Sequence, residues 1–111
     1  MPFRGAETVE AFEALRETGK IGGYGVSNFD VAEMKAWEKV AGPDLCQTDQ
    51  ILYNLSRRGI EWDLAPWARE RKMPLMAYSP LEQGRLRDGA LDAVAAKYGV
   101  TAMQAALAWV L

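Results

Sequence analysis

Three short apolar segments without helical period, Ile21 to Asn28, Leu45 to Leu55 and Leu75 to Leu81, alternate with single amphipathic stretches, and this alternation constrains the fold most. Parallel strands need a crossover of about a dozen residues, normally a helix, and such crossovers are right-handed. The pattern therefore predicts a parallel sheet covered by helices, an α/β protein. The helical stretches carry their own start and stop signals. Val9, Phe12 and Leu15 recur every third position between Glu7 and Thr18, and Gly19 follows as a terminator. Asp30 and Glu33 have capping-box spacing ahead of Val31, Met34, Trp37 and Val40 or Ala41, a run that stops at Gly42-Pro43. A third helix is predicted from about Trp62, with Pro66 near its first turn, Arg69, Arg71 and Lys72 at its C-terminal dipole, and Pro74 beyond. The loop EQGRLRDG precedes two more helices, at about Gly89 to Tyr98 and Thr101 to Leu111, the second opened by a Thr101/Gln104 capping box.

With 111 residues, half of them hydrophobic, the chain suits one domain, or part of one, with a modest core. Its net charge of −2 and scattered basic residues form no footprint for nucleic acid or an acidic membrane. Cys46 is the only cysteine, so no internal disulfide can form; a small buried apolar role and a reducing compartment are expected. The start, MPFRGAETVEAF, lacks the apolar core of a signal peptide, and the run AALAWVL is too short to cross a bilayer. A cytoplasmic location without a membrane partner is expected. There is no histidine, and no metal site is expected. Trp37, Trp62, Trp67 and Trp109 all fall in helical stretches and are expected in the core. Glu7, Glu10, Glu13 and Glu17 are expected on the solvent side of the first helix, and Tyr24, Tyr53 and Tyr98 to serve packing.

Each strand ends in polar groups on its C-terminal side, which in α/β folds is the ligand side: Ser27 and Asn28, then Gln50 and Asn54, then Tyr78 and Ser79. Neighbouring strands lie about 4.8 Å apart, so three adjacent ends fall within about 10 Å and could line one site. Asn28 and Gln50 offer the donors and acceptors that a carboxamide needs, and Tyr78 offers a flat face for an aromatic ring. The competing reading is that Ser27 and Asn28 only turn the chain and cap the next helix.

The segments GKIGGYGVSNFD, DQILYNLSRRGIEWDLAPWARERKMPLMAYSPLEQGRL and TAMQAALAWVL resemble, in that order and spacing, the second half of the aldo-keto reductases. These are (β/α)8 barrels that use NADPH to reduce aldehydes and ketones. The resemblance implies a partial TIM barrel of about three parallel strands with four to five helices, a single half-barrel unit over residues 1–111. It also implies NADP as cofactor. Ser27, Asn28 and Gln50 would hold the nicotinamide carboxamide, Tyr78 would stack on its ring, and Ser79, Leu81 and Gly84 would lie along the pyrophosphate.

The same resemblance implies what to expect of activity. The family's catalytic Asp, Tyr, Lys and His come from its first four strands, which match nothing here, and its grip on the adenosine 2′-phosphate would follow Leu111. No catalytic residue is therefore assigned, and NADP binding by the chain is expected to be weak or absent. A complete barrel needs about 250 residues. Three strands alone leave two sheet edges and an inner face uncovered, so self-association, most simply as a homodimer, is expected. Against the reading as an oxidoreductase fragment stands that of a non-catalytic α/β module acting by binding or assembly.

Overall fold

The computed structural model describes residues 4–84, 86 and 89–111. Helix α1 (Gly5–Glu17) ends where expected: Gly19 adopts φ 73°, its N–H donates to the Arg16 carbonyl, and Lys20 N–H donates to the Leu15 carbonyl. This paired closure satisfies carbonyls that the helix end would otherwise leave bare. Strand β1 (Tyr24–Ser27) follows, then α2 (Val31–Ala41), whose predicted capping box forms in both directions: Asp30 Oδ1 accepts from Glu33 N–H at 2.8 Å and Glu33 Oε2 from Asp30 N–H at 2.9 Å. Strand β2 (Cys46–Leu52) leads through a 3-10 turn (Gly59–Trp62) to α3 (Leu64–Glu70), in which Pro66 occupies the third position of the first turn. Strand β3 (Leu75–Tyr78) completes a sheet ordered β1-β2-β3 with both pairings parallel. Of the loop EQGRLRDG, Glu82–Gly84 forms a second 3-10 turn, while Arg85, Arg87 and Asp88 lie outside the described residues. Helices α4 (Ala90–Tyr98) and α5 (Ala102–Val110) close the chain, the latter behind the expected Thr101/Gln104 box. The fold is α/β, as the alternation predicted.

One face of the sheet is covered by helices, and α2 is its centre. Met34 packs with Leu64, Trp67 and Ala68 of α3, while Trp37 packs with Val9 of α1 and Tyr24 of β1. Met34 and Trp37 are both only 1% exposed. Side chains of this size contribute about 1.5–3 kcal/mol each on full burial, so one helix anchors both halves of the core. Tyr24 stacks on Phe12, and its hydroxyl donates to Glu13 at 2.6 Å. Glu13 therefore departs from the solvent-facing role expected of it: beyond an ion pair with Arg16, it satisfies a hydroxyl that the core buries.

The tryptophans divide. Trp37 and Trp67 are buried, but Trp62 is 90% exposed because it lies on the 3-10 turn and not on a sheet-covering helix face. Trp109 of α5 is partly exposed; it stacks on Tyr53 at 5.2 Å and under the Arg58 guanidinium at 5.3 Å, tying α5 to the segment after β2 and not to the core. The opposite sheet face is open: Gln50 and Met76, which are register partners, are both exposed. The radius of gyration is 17.3 Å, against about 13 Å for a compact domain of this length.

The β1–β2 register slips by one residue between Tyr24↔Cys46 and Val26↔Asp49, so an extra β2 residue bulges toward β1. Glycine is needed there. A Cβ on Gly25 would lie 2.4 Å from the Thr48 carbonyl oxygen, whereas one on Gly22 would meet nothing within 4 Å. Gly25→Ala is expected to lower unfolding stability by about 1–3 kcal/mol or more, with Gly22→Ala near neutral, as read by chemical denaturation. Equal effects of the two would contradict the close approach at the bulge.

Candidate functional site at the strand ends

The end of β1 is clipped to β2 by three successive donors. Ser27 Oγ–H and Asn28 N–H both donate to the Gln50 carbonyl, at 3.0 and 2.9 Å, and Phe29 N–H donates to Asp49 Oδ1 at 3.3 Å. Asn28 sits at φ 60°, a left-handed conformation that asparagine tolerates better than most residues. Ser27 and Asn28 do turn the chain, then, but the capping of α2 falls to Asp30.

The turn also presents chemistry. Tyr78 of β3 donates its hydroxyl to Asn28 Oδ1 at 2.7 Å, reaching across β2. Gln50 is the register partner of Ser27 and is exposed on the same open face. Ser27, Asn28, Gln50 and Tyr78 thus meet at the C-terminal ends of three adjacent parallel strands. The remaining candidates belong to the loop that follows. Ser79 has φ 49° and Gly84 φ 80°; the Ser79 carbonyl accepts from Glu82 N–H at 2.9 Å, and the Leu81 carbonyl from Gly84 N–H at 3.0 Å.

Asn54, read in sequence as a polar strand end, has a structural task. It is fully buried, its Nδ2 donates to the Ser79 carbonyl at 2.9 Å and to Glu82, and its Oδ1 accepts from Ser56 N–H at 2.8 Å. Arg57 pairs with the same Glu82 at 3.3 Å. The segment after β2 thereby holds the loop after β3. Glu82 was missed in the sequence, where nothing in EQGRLRDG marks it as an anchor.

Asp49 was missed too, although its position carried a signal: it alternates with Gln50 and so must point into the helix-covered face. It is 0% exposed, and its Oδ2 has no hydrogen-bond partner among the described residues. Burial, helped by the Glu33 charge and opposed by the Phe29 N–H, pushes its pKa up to about 6. On the α1 side, burial and the Glu13 carboxylate push the Tyr24 hydroxyl up to about 12. The Glu13 carboxyl is held low by Arg16 and Tyr24. Cys46 is half-buried, and burial raises its thiol pKa.

An apolar cleft of about 1030 Å³ lies elsewhere, between α3 and α5 against β3, lined by Ala68, Leu75, Met76, Leu107 and Trp109. It contains none of Ser27, Asn28, Gln50 or Tyr78. Its walls are a sparsely packed helix and the sheet, so it reflects open packing and not convergent polar chemistry. Among the described residues no group of His, Cys, Asp and Glu could hold a metal, and no helix is long and apolar enough to cross a membrane.

Parallel strands with helices covering one face and polar groups at the strand ends define a unit of the α/β class. Residues 3–111 match the Aldo/keto reductase family, and the chain belongs to it. It is 47% identical to the methylglyoxal reductase YeaE of Escherichia coli over 98% of its own length and 40% of that protein's. A solved aldo/keto reductase from Klebsiella pneumoniae, in complex with NADP and acetate, superposes with a TM-score of 0.89 at 46% identity, covering 98% of this chain and 41% of that one. The thermostable aldo-keto reductase Tm1743 gives a TM-score of 0.90 at 31% identity, with 98% of this chain and 41% of that one covered. The chain thus spans about 40% of the length of these relatives and is a partial barrel.

The buried acid sets a pH dependence. A carboxyl whose folded pKa lies above its unfolded value of 3.8 favours folding most when protonated, so its contribution is greatest below pH 4, declines as pH rises to about 6, and is flat above. Relative to wild type, Asp49→Asn should gain up to about 3 kcal/mol across that window. Urea unfolding at pH 4 and pH 7 checks this, and a constant difference between the two proteins would contradict it.

Proposed function

We propose that this chain supplies the nicotinamide-holding side of an NADP(H)-dependent aldo-keto reductase, and that alone it binds the cofactor weakly and turns over no carbonyl substrate. The observation that carries the reading is the meeting of Asn28, Gln50 and Tyr78 at three adjacent strand ends. The residues fit a carboxamide: Asn28 Oδ1 accepts the Tyr78 hydroxyl at 2.7 Å and has a second lone pair for a further donor, and the exposed Gln50 offers both amide functions. Ser27 Oγ and Asn28 would take the carboxamide with Gln50, the Tyr78 ring would lie against the nicotinamide, and Ser79, Leu81 and Gly84 would border the phosphates. Reduced nicotinamide, when bound, supplies a hydride.

Reduction also requires a proton for the developing alkoxide, and the Tyr78 hydroxyl is already donated to Asn28 at 2.7 Å. Tyr24 is bonded to Glu13 on the helix-covered side, Tyr53 donates to Glu61 at 2.7 Å, and Tyr98 is exposed on α4. Losing acid and electrostatic assistance together removes several orders of magnitude in rate. The name of the 47%-identical relative suggests small aldehydes as the substrate class of a whole barrel built on this sequence. Titration of the 111-residue chain with NADPH, followed by cofactor fluorescence, should give a Kd weaker than about 1 μM that weakens further in Asn28→Ala, with no NADPH oxidation on adding methylglyoxal. Micromolar or tighter binding indifferent to Asn28→Ala, or turnover abolished by Tyr78→Phe, would overturn the reading.

A second reading, assembly, is favoured by a separate observation. The open sheet face exposes Met76 at 52%, and β1 and β3 have no further strand partner among the described residues. The chain's surface is 7820 Å², against about 6,100 Å² for a compact monomer of its mass. The excess of about 1,700 Å² belongs to the whole chain, α4 and α5 included, while a standard interface takes ~800 Å² from each partner. A second copy of the chain is the occupant proposed for this face. Light scattering after size-exclusion chromatography at low micromolar concentration should give a mass above 12.3 kDa that Met76→Lys lowers. A monodisperse 12.3 kDa species would remove this reading.

A further inference from the structure

Asp49 is the buried titratable group that the proposed function leaves unused. It stands beside Gln50 on β2 but points to the opposite side of the sheet, under the start of α2. Its Oδ1 receives the Phe29 N–H, while the Gln50 carbonyl receives Ser27 Oγ–H and Asn28 N–H. Two consecutive β2 residues thus hold three consecutive residues at the end of β1, Gln50 through its backbone carbonyl and Asp49 through its side chain. Burying a carboxylate with one oxygen unpartnered is unfavourable, and an apolar residue in the core between β2 and α2 would avoid that penalty. What Asp49 supplies that an apolar residue could not is an acceptor for Phe29 N–H.

We propose that Asp49 is a positioning residue of the nicotinamide clamp. Through Phe29 N–H it fixes the left-handed Asn28 so that its side-chain amide stays at the mouth of β1, without touching the ligand itself. The proposal rests on the nicotinamide reading above for the identity of the ligand, and on the turn geometry alone for the positioning. It separates stability from binding. Asp49→Leu keeps bulk and removes both the acceptor and the buried charge; Asp49→Asn keeps the acceptor.

The test combines NMR hydrogen exchange at the Phe29 and Asn28 amides, an NADPH titration read at the Ser27, Asn28 and Gln50 amides, and thermal unfolding at pH 7. Asp49→Leu should melt at or above wild type, yet exchange the Phe29 amide roughly tenfold faster and bind NADPH several-fold more weakly. Asp49→Asn should stay within about twofold of wild type in exchange and affinity. Should Asp49→Leu not fold, Asp49→Ser, whose hydroxyl is too short to reach Phe29 N–H, takes its place. Wild-type exchange at Phe29 in the acceptor-free variant, or equal loss of affinity in the Leu and Asn variants, overturns the proposal. If wild-type protein gives no NADPH-induced shifts, the nicotinamide reading fails by itself, and the exchange data still decide whether Asp49 holds the turn.

Discussion

The parallel register that sets Ser27, Gln50 and Met76 side by side is the constraint on which everything else in the molecule depends. It brings three strand ends to one side, and it lets the Gln50 carbonyl serve the Ser27 hydroxyl and the Asn28 amide at once. Because side chains alternate across a strand, a slip of one residue would exchange the exposed Gln50 for the buried Asp49. The bulge opposite Gly25 absorbs one such slip before it reaches the strand ends, and it needs a residue without a side chain to do so.

Most of the architecture was legible because it was written locally. Both capping boxes, the Gly19 terminator and the strand-helix alternation depend on residues within a few positions of one another, and each formed as its spacing implied. What failed was long-range. Trp62 looked like a core residue beside a helical stretch, but a 3-10 turn points it outward; Glu13 looked like a solvent-facing acid, but Tyr24, eleven residues away, recruits it. No local pattern announces either contact.

The positions of the candidate residues were legible to the same degree. Ser27, Asn28, Gln50 and Tyr78 could be marked from their places at strand ends and from a family resemblance, and the register brings them together. Asp49 and Glu82 reach the turn and the loop behind those residues through bonds to Phe29 N–H and to Asn54 and Arg57. Such supporting contacts depend on which side of a strand faces a helix and where a loop returns, so they become visible only when the chain is folded. The charged residue at an inward strand position was the one sequence clue available.

The 2.7 Å hydrogen bond from Tyr78 to Asn28 spans the sheet from β3 to the turn after β1, passing over β2. It ties the two edge strands to each other outside the backbone ladder, so the placement of the Asn28 amide and that of the Tyr78 ring are coupled, and a change that moves one side chain moves the other. The tie leaves the amide oxygen with a second lone pair, so the strut that fixes Asn28 does not use up its capacity to accept.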